Sequence, residues 1–248
     1  MSSPRSVFEI TSASGTHVGG VRKHNEDACL DRPDLGLWVV ADGMGGHQAG
    51  DVASRLIIES LSGIAEPTDA VSFITEVRAR LKESNLRLLE EARSRGADAV
   101  VGSTVVALLA FGTFFACLWA GDSRLYRYRK GEFVQLSRDH SQVQEMVDAG
   151  MLTPEAAEHH PYANVITRAV GTNDELELDK LTDRLAPDDI YLLCSDGLSK
   201  MVSDDEIAAI LHRSPLMKAP QALIEAALAH GGKDNVTVIT VQIGDRVQ

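Results

Sequence analysis

The sequence predicts an α+β fold, a single domain of packed sheets in which strands come in runs and helices are grouped between them. Strand-like segments gather at the start, middle and end of the chain. Two long helical patterns follow one another after the first run, where a regular βαβ alternation would place a strand between them. Apolar residues make up 44% of the 248 residues but aromatic ones only 5%, so the core is built mainly from Ala, Val, Leu and Ile. Length alone admits one large domain or two small ones, and no repeat or low-complexity linker divides the chain.

From the start, Val7–Ser12, Thr16–Val21 and Gly36–Ala41 read as strands separated by connections that contain Gly, Asn and Asp. Helical spacing follows. Leu56, Ile57, Leu61 and Ile64 fall near one face of Asp51–Ile64, and Val71, Ile74, Val77 (or Arg78), Leu81 and Leu88 keep roughly helical spacing across Thr68–Arg95, where Ser94-Arg95-Gly96 supplies a stop. Gly102–Gly121 holds no charged residue and has about the length of a membrane-spanning helix. Val105-Val106, Phe111, Phe114-Phe115 and Trp119 favour strands, however, and Gly112-Thr113 supplies a turn, so two buried strands are the expectation. Arg124–Arg129 and Glu132–Leu136 then form a hairpin about Lys130-Gly131. From Asp139 to Gly171 the pattern breaks at Pro154, Pro161 and the adjacent His159 and His160, which predicts short helices in a mobile insertion, a flap. Strands near Leu176–Leu181 and Asp189–Cys194, helices near Asp204–Arg213 and Pro220–His230, and a strand at Asn235–Gln242 complete the chain.

Acidic residues outnumber basic ones 36 to 24, a net charge of −12 without a local basic patch, which argues against a nucleic-acid backbone or an anionic membrane as partner. The same excess repels an anionic phosphate substrate unless bound cations reverse the local field. Cys29, Cys117 and Cys194 lie far apart and form no C-x-x-C pair, so neither a disulfide framework nor a structural zinc site is indicated. Met1-Ser-Ser-Pro-Arg leads into Val7-Phe8-Glu9-Ile10 without the apolar run of a signal peptide, and a reducing cytoplasm is the expected location.

Three aspartates stand at the ends of apolar strands: Trp38-Val39-Val40-Ala41-Asp42-Gly43, Leu192-Leu193-Cys194-Ser195-Asp196-Gly197, and Lys233-Asp234-Asn235 just before Val236-Thr237-Val238. A carboxylate on the lip of a strand, followed by Gly or a small polar residue, can turn its oxygens into a shared pocket. One Asp-Gly is most simply a turn, but several such carboxylates together need cations. Hard oxygen ligands without a His/Cys cluster point to magnesium or manganese rather than zinc or copper. Glu26-Asp27, just after Arg22, and Asp122, after the strand ending Ala120-Gly121, join the same candidate rim.

With these residues in view, the chain resembles the type-2C metal-dependent protein serine/threonine phosphatases, bacterial type. The resemblance runs nearly end to end through Arg22-Lys23-His24-Asn25-Glu26-Asp27, Asp42-Gly43-Met44-Gly45-Gly46-His47, Gly102-Ser103-Thr104, Gly121-Asp122-Ser123-Arg124, Ser195-Asp196-Gly197 and Gly232-Lys233-Asp234-Asn235, in order and spacing. It implies a four-layer αββα sandwich over residues 1–248, two antiparallel sheets flanked by helices, with 139–171 as a flap beside the active site. It further implies two core Mn2+ or Mg2+ ions, with Asp42 bridging them, the Gly43 carbonyl on the second, Asp196 and Asp234 completing the first, and Glu26 acting through a coordinated water. Asp27 and Asn235 would stand behind these ligands, Arg22 would bind the phosphate dianion, and Asp122 with Asp196 would hold a third, looser metal.

The implied reaction is hydrolysis of phosphoserine and phosphothreonine by direct attack of a hydroxide bridging the two cations, with no phosphoenzyme. The cations would also resolve the charge conflict. Implied partners are phosphorylated proteins and a cognate eukaryotic-like Ser/Thr kinase, with the chain a monomer. Some relatives place a histidine two residues after the bridging aspartate as general acid, where this chain has Met44; His47, His159, His160 or a metal-bound water stay open as substitutes. Thiol chemistry fits poorly, because Leu35, Ser123 and Lys200 lie six residues beyond the three cysteines and no Cys-x5-Arg loop exists. The metallophosphoesterase pattern also fails, since Gly121-Asp122 continues as Ser123-Arg124 and no Gly-Asn-His element follows. A hydrolase of small phosphate esters and an inactive, partner-binding relative are the alternatives.

Overall fold

The structure, a computed structural model, describes residues 7–45, 49–158 and 160–246. The chain opens with strands β1 (Phe8–His17), β2 (Asp27–Arg32) and β3 (Leu37–Met44), then helices α1 (Ala49–Ser62) and α2 (Ala70–Arg95). A second run of strands follows: β4 (Gly102–Ser103), β5 (Val105–Phe111), β6 (Phe114–Ala120), β7 (Arg124–Arg129) and β8 (Glu132–Gln135). Short helices α3 (Gln142–Asp148) and α4 (Pro154–Glu158) occupy the segment expected to be a flap. The last part comprises β9 (Asp179–Arg184), β10 (Ile190–Cys194), α5 (Asp196–Ser199), α6 (Asp204–Arg213), a 3-10 turn at Leu216–Lys218, α7 (Ala219–Ala229) and β11 (Val236–Arg246).

The strands form two antiparallel sheets, one ordered β1-β11-β10-β7-β8 and the other β2-β3-β5-β6-β9. Alternation along each strand explains how they stack. In β3, Trp38 and Val40 face the opposite sheet and meet Tyr191, Leu193, Ile239 and Val241, while Leu37, Val39 and Ala41 face α1 and α2 and meet Ile57, Leu61, Val77 and Leu81. A third apolar layer joins Leu192, Cys194, Val236 and Val238 to Leu198, Ile207, Leu223 and Ile224 of the helices on the far side. Four layers therefore enclose three strips of core, and both faces of the central strands are dry. That accounts for the charge-free run of Gly102–Gly121: β5 and β6 are covered on both sides, and no helix of the described residues is long and apolar enough to cross a membrane.

The observed elements depart from the expected ones in several places. The expected break between Val7–Ser12 and Thr16–Val21 is absent, because β1 pairs continuously with the long β11 from Ile10 to His17 and Ser14-Gly15 does not turn, and Val18–Val21 lies beyond the strand's end. Gly15 is small for another reason: a Cβ there would lie 2.9 Å from Ile224 Cδ1 of α7. Strand β2 was not expected, and β9 begins three residues later than the predicted Leu176; both are edge strands whose charged residues, at their two ends, hide the pattern. The single-turn α5, capping the Ser195-Asp196-Gly197 lip, was likewise not expected.

Candidate metal centre

The predicted acidic residues come together along one rim where the two sheets approach. Asp27 and Asp42 are directly opposed across β2 and β3. The Asp42 backbone is fastened to the next strand, its N–H donating to Thr104 Oγ1 at 3.1 Å and its carbonyl accepting from Thr104 N at 2.8 Å and Ser103 Oγ at 3.0 Å. Thr104 Oγ1 lies 2.7 Å from Ser123 Oγ, which places Asp122 on the neighbouring turn. From the other sheet, Ser195 donates to Asp27 Oδ2 at 2.8 Å and accepts from Thr237 N at 3.0 Å, so one buried hydroxyl ties β2, β10 and β11 together.

Asn235 performs the matching task for the first loop. Its Oδ1 accepts from Glu26 N at 2.8 Å, and its Nδ2 donates to the carbonyls of Val18 and His24, each at 2.9 Å. Gly43 N donates to the Glu26 carbonyl at 3.1 Å, completing the link between loop and strand end. Arg22 stands at the mouth, about half exposed, with Nη2 2.7 Å from Asp234 Oδ2. Gly197 allows the two lips from the β1/β10/β11 sheet to close up, since a Cβ on it would fall 1.9 Å from the Asn235 carbonyl oxygen.

The electrostatics describe a site crowded with negative charge. Burial, reinforced by Asp27, Asp196, Asp122 and Asp234, holds the Asp42 carboxyl well above the usual carboxylate range. Burial also pushes Asp27 up to about 7, against the hydrogen bonds from Ser195 and Thr237, and raises Glu26. The hydrogen bond to Asp234 raises Arg22 further. Buried oxygens Asp27 Oδ1 and Asp122 Oδ1 have no hydrogen-bond partner among the described residues. Unsatisfied carboxylate oxygens inside a repulsive cluster are what a hard divalent cation requires, so the residues present fit magnesium or manganese.

No three acidic, histidine or cysteine side chains among the described residues are already drawn into a coordination sphere. Protein cations occupy the carboxylates instead. Arg22 holds Asp234, while Lys200, one helical turn beyond Asp196, reaches Asp196 Oδ2 at 2.6 Å, Asp122 Oδ2 at 3.1 Å and Asn164 Oδ1 of the flap at 2.9 Å. Burial pulls the Lys200 ammonium down, but Asp196 and Asp122 together push it well above the ordinary lysine range. Sequence reasoning missed Lys200 and Asn164. The i, i+4 spacing of Asp196 and Lys200 was a legible signal for the first; nothing local marks the second.

Of the histidines proposed as proton donors, His160 uses Nδ1 to accept the Tyr162 N–H at 3.2 Å within a turn, and His47 and His159 lie outside the described residues. Cys194 is fully buried in the apolar layer beneath the helices, and that burial pushes its thiol up to about 12, which leaves it inert at neutral pH.

Residues 15–230 match the sequence profile of the family described as Protein phosphatase 2C. The serine/threonine protein phosphatase PstP of Mycobacterium tuberculosis is 37% identical over 241 residues, 97% of this chain and 46% of the relative, so this chain spans about half the length of that protein. Two solved structures share the fold closely. PppA of Pseudomonas aeruginosa, described as a key regulatory component of T6SS, superposes with a TM-score of 0.88 at 46% identity, covering 94% of this chain and 97% of its own. The catalytic domain of PstP in complex with two manganese ions gives 0.85 at 34% identity, covering 95% and 99%. This chain belongs to the protein phosphatase 2C family.

Proposed function

We propose that this chain hydrolyses phosphoserine and phosphothreonine esters in proteins, with two manganese or magnesium ions held by Asp42, the Gly43 carbonyl, Asp196 and Asp234. The observation that carries the reading is the position of Asp42, whose carboxyl is pressed by four other carboxylates arriving from both sheets. When bound, the cations supply acidified water and neutralise the phosphoryl oxygens during in-line displacement.

The chain's own residues set the geometry. Asp27 and Ser195 brace Asp42 from behind, and Asn235 fixes the backbone of Glu26, which acts through a water. Arg22 spends one N–H on Asp234 and keeps others for the phosphate dianion at the mouth, where its planar fork suits paired oxygens. Met44 has no proton to give to the departing alkoxide, so solvent water supplies it in this scheme. Asp122 and the flap segment 139–171 border the same pocket through Lys200.

In this reading the protein reverses a eukaryotic-like Ser/Thr kinase in the cytoplasm, and its likeness to PppA favours a kinase that governs secretion. The test is hydrolysis of a phosphothreonine peptide by wild type and Asp42→Asn in manganese. The variant should lose at least about a hundredfold, equivalent to a few kcal/mol of transition-state stabilisation. Equal rates in both, or activity that persists in excess chelator, overturns the assignment.

A further inference from the structure

The pair Asp122 and Asp196 is expected by resemblance to hold a third cation, yet this chain carries its own cation at that point. Lys200 Nζ lies 2.6 Å from Asp196 Oδ2 and 3.1 Å from Asp122 Oδ2, and its third donor goes to Asn164 Oδ1 at 2.9 Å. An ammonium has three N–H donors and no acceptor, so all of its capacity is used by these three oxygens. The arrangement is enclosed: the Asp122 side chain is 4% exposed and that of Lys200 31%. A metal ion holding the same two carboxylates would sit about 2.0–2.1 Å from their oxygens. On the two Oδ2 atoms it would overlap the ammonium where Lys200 now stands, so ion and ammonium compete for this pair.

We propose that Lys200 is a built-in cation that takes the place of the third metal, neutralising Asp122 and Asp196 and fastening the flap to the site through Asn164. The inference rests on the two-metal reading above and adds to it that the count stops at two. Lys200 engages only Oδ2 of Asp196, and no hydrogen bond to Oδ1 is formed among the described residues, so that oxygen stays available to a core ion. Removal of the ammonium would expose a ready acidic pair, because Asp122 Oδ1 is already buried without a partner. Lys200 acts as a positioning residue, holding charge and chain segments in place without touching the reacting phosphate.

Calorimetric titration with manganese tests this without reference to turnover. Wild type should take up two ions, and Lys200→Gln and Lys200→Met, which remove the charge while keeping all but one atom of the side chain's length, should take up three. Adding Asp122→Asn to either variant should return the count to two. Three ions in wild type, two in both Lys200 variants, or a third ion that survives Asp122→Asn would each overturn the role of Lys200 while leaving the binuclear centre standing. Failure of wild type and variants alike to bind manganese would remove both.

Discussion

At the scale of single residues, the site is a set of carboxylates that the protein holds together at a cost. Asp27 shows this most clearly. It is buried, faces Asp42 across the sheet, and has one oxygen satisfied by Ser195 and the other by no group of the described residues. Its folded carboxyl is pushed up to about 7, above the ordinary value near 4 of the unfolded chain, so the proton is bound more tightly in the folded state. The stabilisation tied to that proton is fully present below about pH 4 and is lost as pH rises through about 7. In chelator, then, the urea midpoint should fall between pH 5 and pH 8, and Asp27→Asn should flatten much of that fall. A midpoint that rises over this window, or a slope unaltered in the variant, would contradict the assignment of Asp27. The carboxylates themselves were legible in the sequence because each ends an apolar run. Ser195 was visible only as part of a motif, since its partners Asp27 and Thr237 are brought to it by pairing of strands distant in the chain.

Elements show the same division between local signal and long-range contact. Helices α1 and α2 were readable from their apolar periodicity, and β5 and β6 from a charge-free run, because burial on one or both faces writes itself into the side-chain pattern. Edge strands β2 and β9 carry Asp, Arg and Lys in place of that pattern and were missed or displaced. Contacts between elements leave still less trace. Asn85, in the middle of α2 and buried, reads as an ordinary helical polar residue; in the fold its Oδ1 accepts from Gly171 N at 2.7 Å and its Nδ2 donates to the Asn173 carbonyl at 2.9 Å. It thereby anchors the end of the 139–171 segment to the helix layer. Asn85→Leu should leave the buried Gly171 N–H without an acceptor and cost about 1–3 kcal/mol of stability in urea unfolding. A loss within measurement error would show that the segment is anchored elsewhere.

Across the whole molecule, the proposed metal centre doubles as a junction between the sheets. Asp27 and Asp42 belong to strands of the β2/β3 sheet, while Asp196 follows β10 and Asp234 precedes β11 of the other. The sheets already share the apolar strip around Trp38 and Tyr191, but at this rim like charges oppose one another in a chain whose net charge is −12. In the proposed reading, divalent ions placed there would convert repulsion into a shared set of ligands and would bind only when both sheets are folded against each other. Mass action then requires manganese to stabilise the native state: at a hundred times the dissociation constant, each site adds about 2.7 kcal/mol. For a domain of this size, two such sites would raise Tm by roughly 10–20 °C, at about 2–4 °C per kcal/mol. The gain should shrink sharply in Asp42→Asn, because that carboxylate is proposed to bridge both ions. It should persist in Asp122→Asn, because Lys200, rather than a third metal, occupies the neighbouring pair. Differential scanning calorimetry with and without manganese separates the cases. A Tm indifferent to manganese would remove the junction, and equal loss of the gain in the two variants would place Asp122 among the ligands of the core ions.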